Sequence, residues 1–212
     1  MAKLLRTAAD KAGLAPGTLV YIGEQKEKQA WITLIRYDAD RYEERECAAI
    51  DEAVSLCAPG WTCWLNIEGL HDTAVIEAVG RHFNVHPLIL EDILNTEQRP
   101  KVAEGERGLV VLLKMIDAEE DGGRIISEQV SLIAREGVVV SLQERRGDVF
   151  DPVRERIRTG RRIRQRGADF LAYALMDAVV DNYFVVLEKV ADRMEDVEQE
   201  LTDSPSPETL QN

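Results

Sequence analysis

The sequence contains few of the residues on which catalytic, redox and zinc sites depend. It has three cysteines and three histidines among 212 residues. Cys47, Cys57 and Cys63 lie ten and six residues apart, which fits neither a disulfide framework nor a CxxC zinc site, so we expect reduced core thiols. Nucleophile-elbow, zinc-protease and glycine-rich phosphate-binding motifs are also missing. These absences disfavour an enzyme.

Positive charge is scarce as well. The formal net charge is −13, because 39 acidic residues outnumber 26 lysines and arginines. This balance disfavours nucleic acid or an anionic membrane surface as the main partner and favours cations. We see no signal peptide, and the uninterrupted apolar runs are far shorter than the roughly 20 residues of a membrane helix. We therefore expect the chain as given to be soluble and cytoplasmic.

The charge is also uneven along the chain. Residues 145–166 contain nine arginines, whereas residues 188–203 contain seven acidic residues against only Lys189 and Arg193. Each segment is typical of a solvated charged face.

Apolar periodicity and turn residues predict an α/β fold, a three-layer α/β/α domain with a central mixed sheet followed by long C-terminal helices. Residues 18–22 and 30–37 are expected to pair as a hairpin. Asp72 is a predicted N-cap, and Pro87 suits the first turn of a helix. The further predicted strands are residues 61–67, 109–116, 125–135 and 138–143, and the predicted helices are residues 48–56, 72–83, 88–94, 153–157 and 168–201.

The helix predicted at residues 168–201 has two distinct faces. One face is an apolar seam with spacings of three and four residues, formed by Tyr183, Leu187, Val190, Met194, Val197 and Leu201. The roughly opposite face is a carboxylate stripe, formed by Asp177, Asp181, Glu188, Asp192 and Glu195. The seam predicts packing against another element.

Two acidic groups are candidates for binding a cation. Glu91 and Asp92 follow an apolar helical turn, and Asp177 begins the carboxylate stripe. Hard cations such as Mg²⁺ prefer oxygen ligands and keep much of their water, so one or two carboxylates per chain are often enough. The residues alone thus predict an acidic α/β domain with a surface suited to metal.

Several segments, in order, closely resemble CorA-type divalent-cation transporters. The first is residues 85–95, which contain Pro87, Glu91 and Asp92, followed by Gln98-Arg99-Pro100-Lys101. The others are Ser127-Glu128-Gln129-Val130-Ser131-Leu132, residues 147–154 and the helix over residues 168–189. Together they cover most of residues 85–201. The resemblance is to the cytoplasmic domain that precedes the stalk and membrane helices.

This resemblance implies a homopentameric Mg²⁺/Co²⁺ transporter at the inner membrane, with this domain at its cytoplasmic face. It implies an intersubunit metal site with Asp92 as principal ligand, and a neighbouring site with Glu91 and Asp177. Mg²⁺, or another divalent cation such as Co²⁺, would be the regulatory ligand that holds the closed state. A further ligand of the first site belongs to the adjacent subunit's stalk, so we expect an incomplete site here.

The resemblance also suggests a division of the chain. We expect an α/β/α domain over residues 1–166, a long acidic helical extension packing on it over residues 167–203, and the start of a truncated stalk helix over residues 204–212. The family's Gly-Met-Asn pore signature is absent from the sequence. We therefore expect no ion conduction by the chain as given, and a monomer or weak oligomer in solution.

Three alternatives stay open at this stage. A zinc transporter of the same superfamily would share the fold, although the absence of a Cys/His cluster leans against softer metals. A stand-alone cation-binding or scaffold protein would never have had a pore. A metal-dependent hydrolase is the third alternative.

Overall fold

The computed structural model describes residues 5–6, 13–105, 108–118 and 124–203. The strands are β1 (Leu5–Arg6), β2 (Gly23–Glu24), β3 (Trp31–Tyr37), β4 (Tyr42–Cys47), β5 (Thr62–Glu68), β6 (Lys101–Gly105), β7 (Gly108–Ala118), β8 (Ile125–Arg135) and β9 (Val138–Gln143). The helices are α1 (Ile50–Ser55), α2 (Thr73–His82), α3 (Pro87–Ile93), α4 (Asp151–Thr159), α5 (Arg161–Arg164) and α6 (Ala168–Asp203). The stalk-helix start predicted at residues 204–212 lies outside the described residues.

A seven-stranded sheet crosses the middle of the molecule in the order β4-β3-β5-β9-β8-β7-β6. The pairing of β5 with β9 is parallel, and the other pairings in this sheet are antiparallel. Both β5 and β9 are buried along nearly their whole length, as expected for central strands covered on two faces. The predicted mixed sheet is confirmed.

Helices cover both faces of the sheet. Side chains alternate along β5, so that Leu65 and Ile67 join one core cluster and Trp64 joins the other. The first cluster packs under α1, α2 and α3, on what we call the α3 face. The second packs under α4, α5 and α6, on what we call the α6 face. The predicted three-layer arrangement is therefore confirmed.

Two helices begin at the residues that the sequence predicted. The carboxylate of Asp72 accepts two backbone N–H groups from the first turn of α2, which confirms the predicted N-cap. Pro87 occupies the first turn of α3, where its missing N–H costs nothing, and His86 caps the same turn through its ring nitrogen. The three cysteines are free thiols and are buried or half-buried, as predicted for core residues: Cys47, Cys57 and Cys63.

The predicted hairpin between residues 18–22 and 30–37 was wrong. Residues 18–21 form no strand, and Ile22 bridges to the chain after α3, with backbone hydrogen bonds to Leu94 and Thr96 of 2.8 and 3.0 Å. The hairpin partner of β3 is instead β4. Four of the six residues of β4 are charged, as expected of an edge strand with solvent-facing side chains, so apolar periodicity did not indicate it.

Only the first half of α6 belongs to the core. Its buried residues are Ala168, Leu171, Ala172, Ala174, Leu175, Val179 and Val186. Side chains of Asn182 and Lys189 then donate hydrogen bonds to β7, to the carbonyl oxygens of Ile116 at 2.5 Å and Ala118 at 3.1 Å. From residue 190 to residue 203 no side chain is fully buried. We call residues 168–186 the packed half of α6 and residues 187–203 its free half.

One stretch of α6 is long and apolar enough to cross a membrane by length and composition, with a mean hydropathy of 1.6. Part of this apolar character belongs to the core, because Leu171, Leu175 and Val179 are buried on the α6 face. The predicted seam over residues 183–201 packs on the described part of the chain at its first residue, Tyr183, whereas Leu187 and Met194 are 60% and 68% exposed. One apolar face of α6 therefore remains accessible in the single chain.

Candidate functional site

Glu91 and Asp92 lie on α3, and the local sequence determines which way this short helix faces. Leu90 and Ile93 are buried against the α3 face of the sheet. The two acids between them fall on the outer side of the helix, where both are half-buried. The apolar residues thus orient the acidic pair toward the surface, as a cation site there requires.

Both acids already have partners within the chain. One oxygen of Asp92 accepts a hydrogen bond from the Gln98 amide at 2.9 Å, and the other forms an ion pair with the ammonium of Lys101. Glu91 accepts the backbone N–H of Gly17 at 2.7 Å. A cation that binds Asp92 directly must therefore compete with Lys101.

Asp177 lies in the packed half of α6 and lines a cavity of about 850 Å³. The hydroxyl of Tyr173 donates a hydrogen bond of 3.3 Å to its carboxylate. The open cavity lies between α6, β7, β8, the loop before α4 and α4 itself. Its charged lining residues are Asp117, Glu128, Arg145, Arg146, Asp148, Asp151, Arg156, Asp177 and Asp181. The acids outnumber the arginines, so the cavity as a whole favours cations.

Glu128 is a buried acid of this lining, at 1% exposure. Burial raises the pKa of Glu128 to about 7, although the nearby Arg145 guanidinium opposes the shift. One oxygen accepts a hydrogen bond from Arg145 at 3.3 Å, and the other has no hydrogen-bond partner among the described residues. Glu128 can therefore take up or release a proton near neutral pH, and a cation in the cavity would favour its charged form.

The three predicted ligands do not meet within one chain. Glu91 and Asp92 belong to a helix on the α3 face, whereas Asp177 belongs to the helix on the α6 face. Over the described ranges, no group of three or more histidine, cysteine or carboxylate side chains is arranged to hold a metal ion. Each chain thus presents the predicted ligands at two separate places.

Sequence reasoning missed two acids of the cavity, Asp117 and Glu128. They come from β7 and β8, and they reach the neighbourhood of Asp177 only because α6 folds back across these strands. Their spacing in the sequence gives no indication of this. The family resemblance at residues 127–132 was the only feature that pointed toward Glu128.

Comparisons with known proteins agree with the fold and the resemblance. A family model described as CorA-like Mg²⁺ transporter protein matches residues 61–212. The cobalt/magnesium transport protein CorA of Thermotoga maritima is 44% identical over 202 residues, which are 95% of this chain and 57% of that protein. The putative metal ion transporter YfjQ of Bacillus subtilis is 27% identical over 136 residues, 64% of this chain and 41% of that protein. The chain thus spans about half the length of these relatives.

Solved structures share the fold. The complete CorA magnesium transporter from Methanocaldococcus jannaschii matches with a TM-score of 0.61 and 17% identity, over 84% of this chain and 54% of that one. The soluble domain of the same transporter matches with a TM-score of 0.62 and 15% identity, over 84% of this chain and 68% of that one. The match to the family model covers more than half of the chain, and the Thermotoga protein aligns with nearly all of it. The chain belongs to the CorA-like Mg²⁺ transporter family.

Proposed function

We propose that this chain is the divalent-cation-sensing domain of a Mg²⁺/Co²⁺ transporter, in which Mg²⁺ bound between subunits holds the closed state. The observation that carries this proposal is the separation of Glu91 and Asp92 from Asp177 on opposite faces of the sheet. A site that combines these acids must be built from two copies. We propose that each copy offers a different surface to each of its neighbours, in a head-to-tail contact whose rotation closes into a ring such as a pentamer.

Exposed apolar residues on α6 support an assembly. Large side chains recur every seven residues along one line of the helix, and all are exposed by 38–68%: Tyr173, Val180, Leu187, Met194 and Leu201. A seven-residue apolar repeat is typical of helices that pair with another helix. Exposed apolar surface of this extent favours a contact with further protein.

The chemistry of the proposed site suits Mg²⁺, which prefers carboxylate and water oxygens. Carboxylates brought together across a subunit boundary repel one another, and a bound divalent cation cancels that repulsion. When the cation leaves, Lys101 can keep Asp92 neutralised within its own subunit. The cation biases the assembly because it binds the closed arrangement better than the open one. We place this domain at the cytoplasmic face of the inner membrane.

The test uses the full-length transporter that contains this chain. With Asp92→Ala and Asp177→Ala combined, uptake should need about tenfold more internal Mg²⁺ for half-inhibition, because roughly 1.4 kcal/mol of binding is lost. Flux into vesicles loaded with graded Mg²⁺ measures this. Asp40→Ala, which removes an exposed acid elsewhere, is the matched control. Unchanged inhibition in the double variant would contradict the proposal.

A second variant should act in the opposite direction. Lys101→Met removes the ammonium that competes for Asp92, so inhibition should occur at lower internal Mg²⁺ than in the parent protein. The same flux measurement applies. A shift toward higher Mg²⁺ would show that Lys101 supports the site instead of competing with the cation.

A further inference from the structure

The arginines of residues 145–166 whose side chains the structure describes fall into two groups. Most have partners: Arg145, Arg146, Arg154 and Arg158 form ion pairs with acids, and Arg164 donates hydrogen bonds to backbone carbonyl oxygens. By contrast, the guanidinium groups of Arg156, Arg162 and Arg166 make no hydrogen bond or ion pair with a side chain or backbone group of the described residues. All three are exposed, so their guanidinium groups are accessible to a ligand.

These three arginines surround one pocket of about 570 Å³, which we call the arginine pocket. It lies where α4, α5 and the start of α6 meet. The remaining lining residues are Gly160, Ile163, Gln165 and Phe170, so that no acidic side chain of the described residues lines the pocket. The guanidinium of Arg166 lies 5.9 Å from the ring centre of Phe170, and this contact helps to orient it.

The electrostatics of the arginine pocket favour an anion. Three guanidinium groups around one cavity repel each other, and a bound anion relieves that repulsion. The pocket also adjoins the N-terminus of α6, whose 36 residues direct the positive end of the helix dipole toward this region. Asp169 in the first turn lines a neighbouring cavity instead. The positive potential at the pocket is therefore not cancelled by a lining acid.

The residue type narrows the class of anion. Guanidinium groups form paired, parallel hydrogen bonds with phosphate oxygens, and their rigid fork suits this geometry better than an ammonium does. The partly apolar wall formed by Ile163 and Phe170 leaves room for the group attached to the phosphate. We propose that the arginine pocket binds a phosphoryl group, carried either by a soluble phosphate compound or by a lipid headgroup.

This proposal does not depend on the proposed metal site, although the two sites share a residue. Arg156 lines both the arginine pocket and the acidic cavity that contains Asp177. A phosphoryl ligand would therefore hold a guanidinium at the boundary of the acidic cavity.

The first experiment measures binding of inorganic pyrophosphate to the 212-residue chain by calorimetry, at low salt and without divalent cations. Arg162→Ala should weaken binding about tenfold, and Arg162→Lys should weaken it less, because charge remains while the paired geometry is lost. Arg81→Ala is the matched control, since Arg81 is an exposed arginine at the end of α2 on the α3 face. Thermal unfolding checks that each variant is folded, and Arg166→Ala replaces any that is not.

The second experiment separates the two sources of phosphate. Vesicles of phosphatidylcholine, with or without phosphatidylglycerol, are sedimented with the same variants. Binding of pyrophosphate, or of the anionic vesicles only, supports the proposal if Arg162→Ala loses it and Arg81→Ala keeps it. Absence of binding to both probes, or an equal loss in Arg81→Ala, would overturn it.

Discussion

The two halves of α6 have similar helical geometry and opposite environments. The packed half buries Leu171, Leu175 and Val179 on the α6 face of the sheet. The free half has no fully buried side chain after residue 189, although apolar residues continue at helical spacing as far as Leu201. Apolar periodicity therefore identifies the faces of a helix but does not say whether the same chain covers them.

The comparison also separates two kinds of acidic residue. Beside the packed half, Glu128 is buried in the wall of an open cavity, where burial and neighbouring charges raise the pKa of its carboxyl group. On the free half, acids such as Asp192, Glu195 and Glu198 are exposed to solvent. Both kinds of acid contribute equally to the net charge of the sequence. Only the pKa of the buried kind depends on how the chain folds.

The largest expected difference in stability is between leucine-to-alanine substitutions in the two halves of α6. Leu175→Ala should lower the free energy of unfolding by about 3 kcal/mol, because a fully buried side chain leaves a cavity in the core. Leu187→Ala should change it by under about 0.5 kcal/mol, because that side chain is 60% exposed. Urea unfolding followed by circular dichroism measures both. A large, concentration-dependent loss for Leu187→Ala would show that a second copy covers the free half in solution.

A pH-dependent effect should follow from Glu128. Its pKa rises from an ordinary value of 4.5 to about 7 on folding, so its contribution to stability is fully present below pH 4.5 and is lost as the pH rises through 7. Glu128→Gln should therefore match the parent below pH 4.5 and exceed its stability above pH 7, by at most about 3 kcal/mol.

Urea unfolding across this pH range tests the Glu128 prediction. Glu195→Gln on the free half removes the same charge from an exposed position, and its effect should stay within about 0.5 kcal/mol at each pH. A constant difference between Glu128→Gln and the parent would mean that the acid does not change its protonation on folding over this range.

A smaller difference in stability is expected when either of two tyrosines of α6 is replaced by phenylalanine. The hydroxyl of Tyr183 donates a hydrogen bond to the carbonyl oxygen of Lys114 on β7. Tyr183→Phe should therefore lower the free energy of unfolding by about 1 kcal/mol. Tyr173 is 55% exposed and its hydroxyl reaches only Asp177, so Tyr173→Phe should cost under about 0.5 kcal/mol. Thermal unfolding compares them. An equal loss of stability in the two variants would mean that the hydrogen bond to β7 does not stabilise the packing of α6.

Most elements with a strong apolar pattern could be predicted from the sequence. The strands β8 and β9 begin and end at the predicted residues, and α2 and α3 start at the predicted cap and proline. The edge strands β4 and β6 could not be predicted, because their sequences do not alternate between apolar and polar residues. The segment at residues 18–22 looked like a strand because its apolar residues are buried in tertiary contacts outside the sheet.

The candidate site was predictable only in part. The family resemblance indicated Glu91, Asp92 and Asp177 as metal ligands, and this role remains a prediction. The partners of Asp92 were not predictable, because Gln98 and Lys101 reach it through the turn that leads into β6. Likewise, Arg156, Arg162 and Arg166 were merely part of a basic segment until the fold placed them around one pocket.

By itself the sequence determined the fold class, the long helix and the excess of carboxylates, because these depend on local periodicity and composition. The tertiary structure decided which acids are buried, which arginines lack partners and which part of α6 is covered. These properties depend on contacts between residues far apart in the chain, where burial and neighbouring charge set the energy of each group. The separation of Asp92 from Asp177 is of the second kind, and it is the reason that the proposed site, if it combines them, requires two copies.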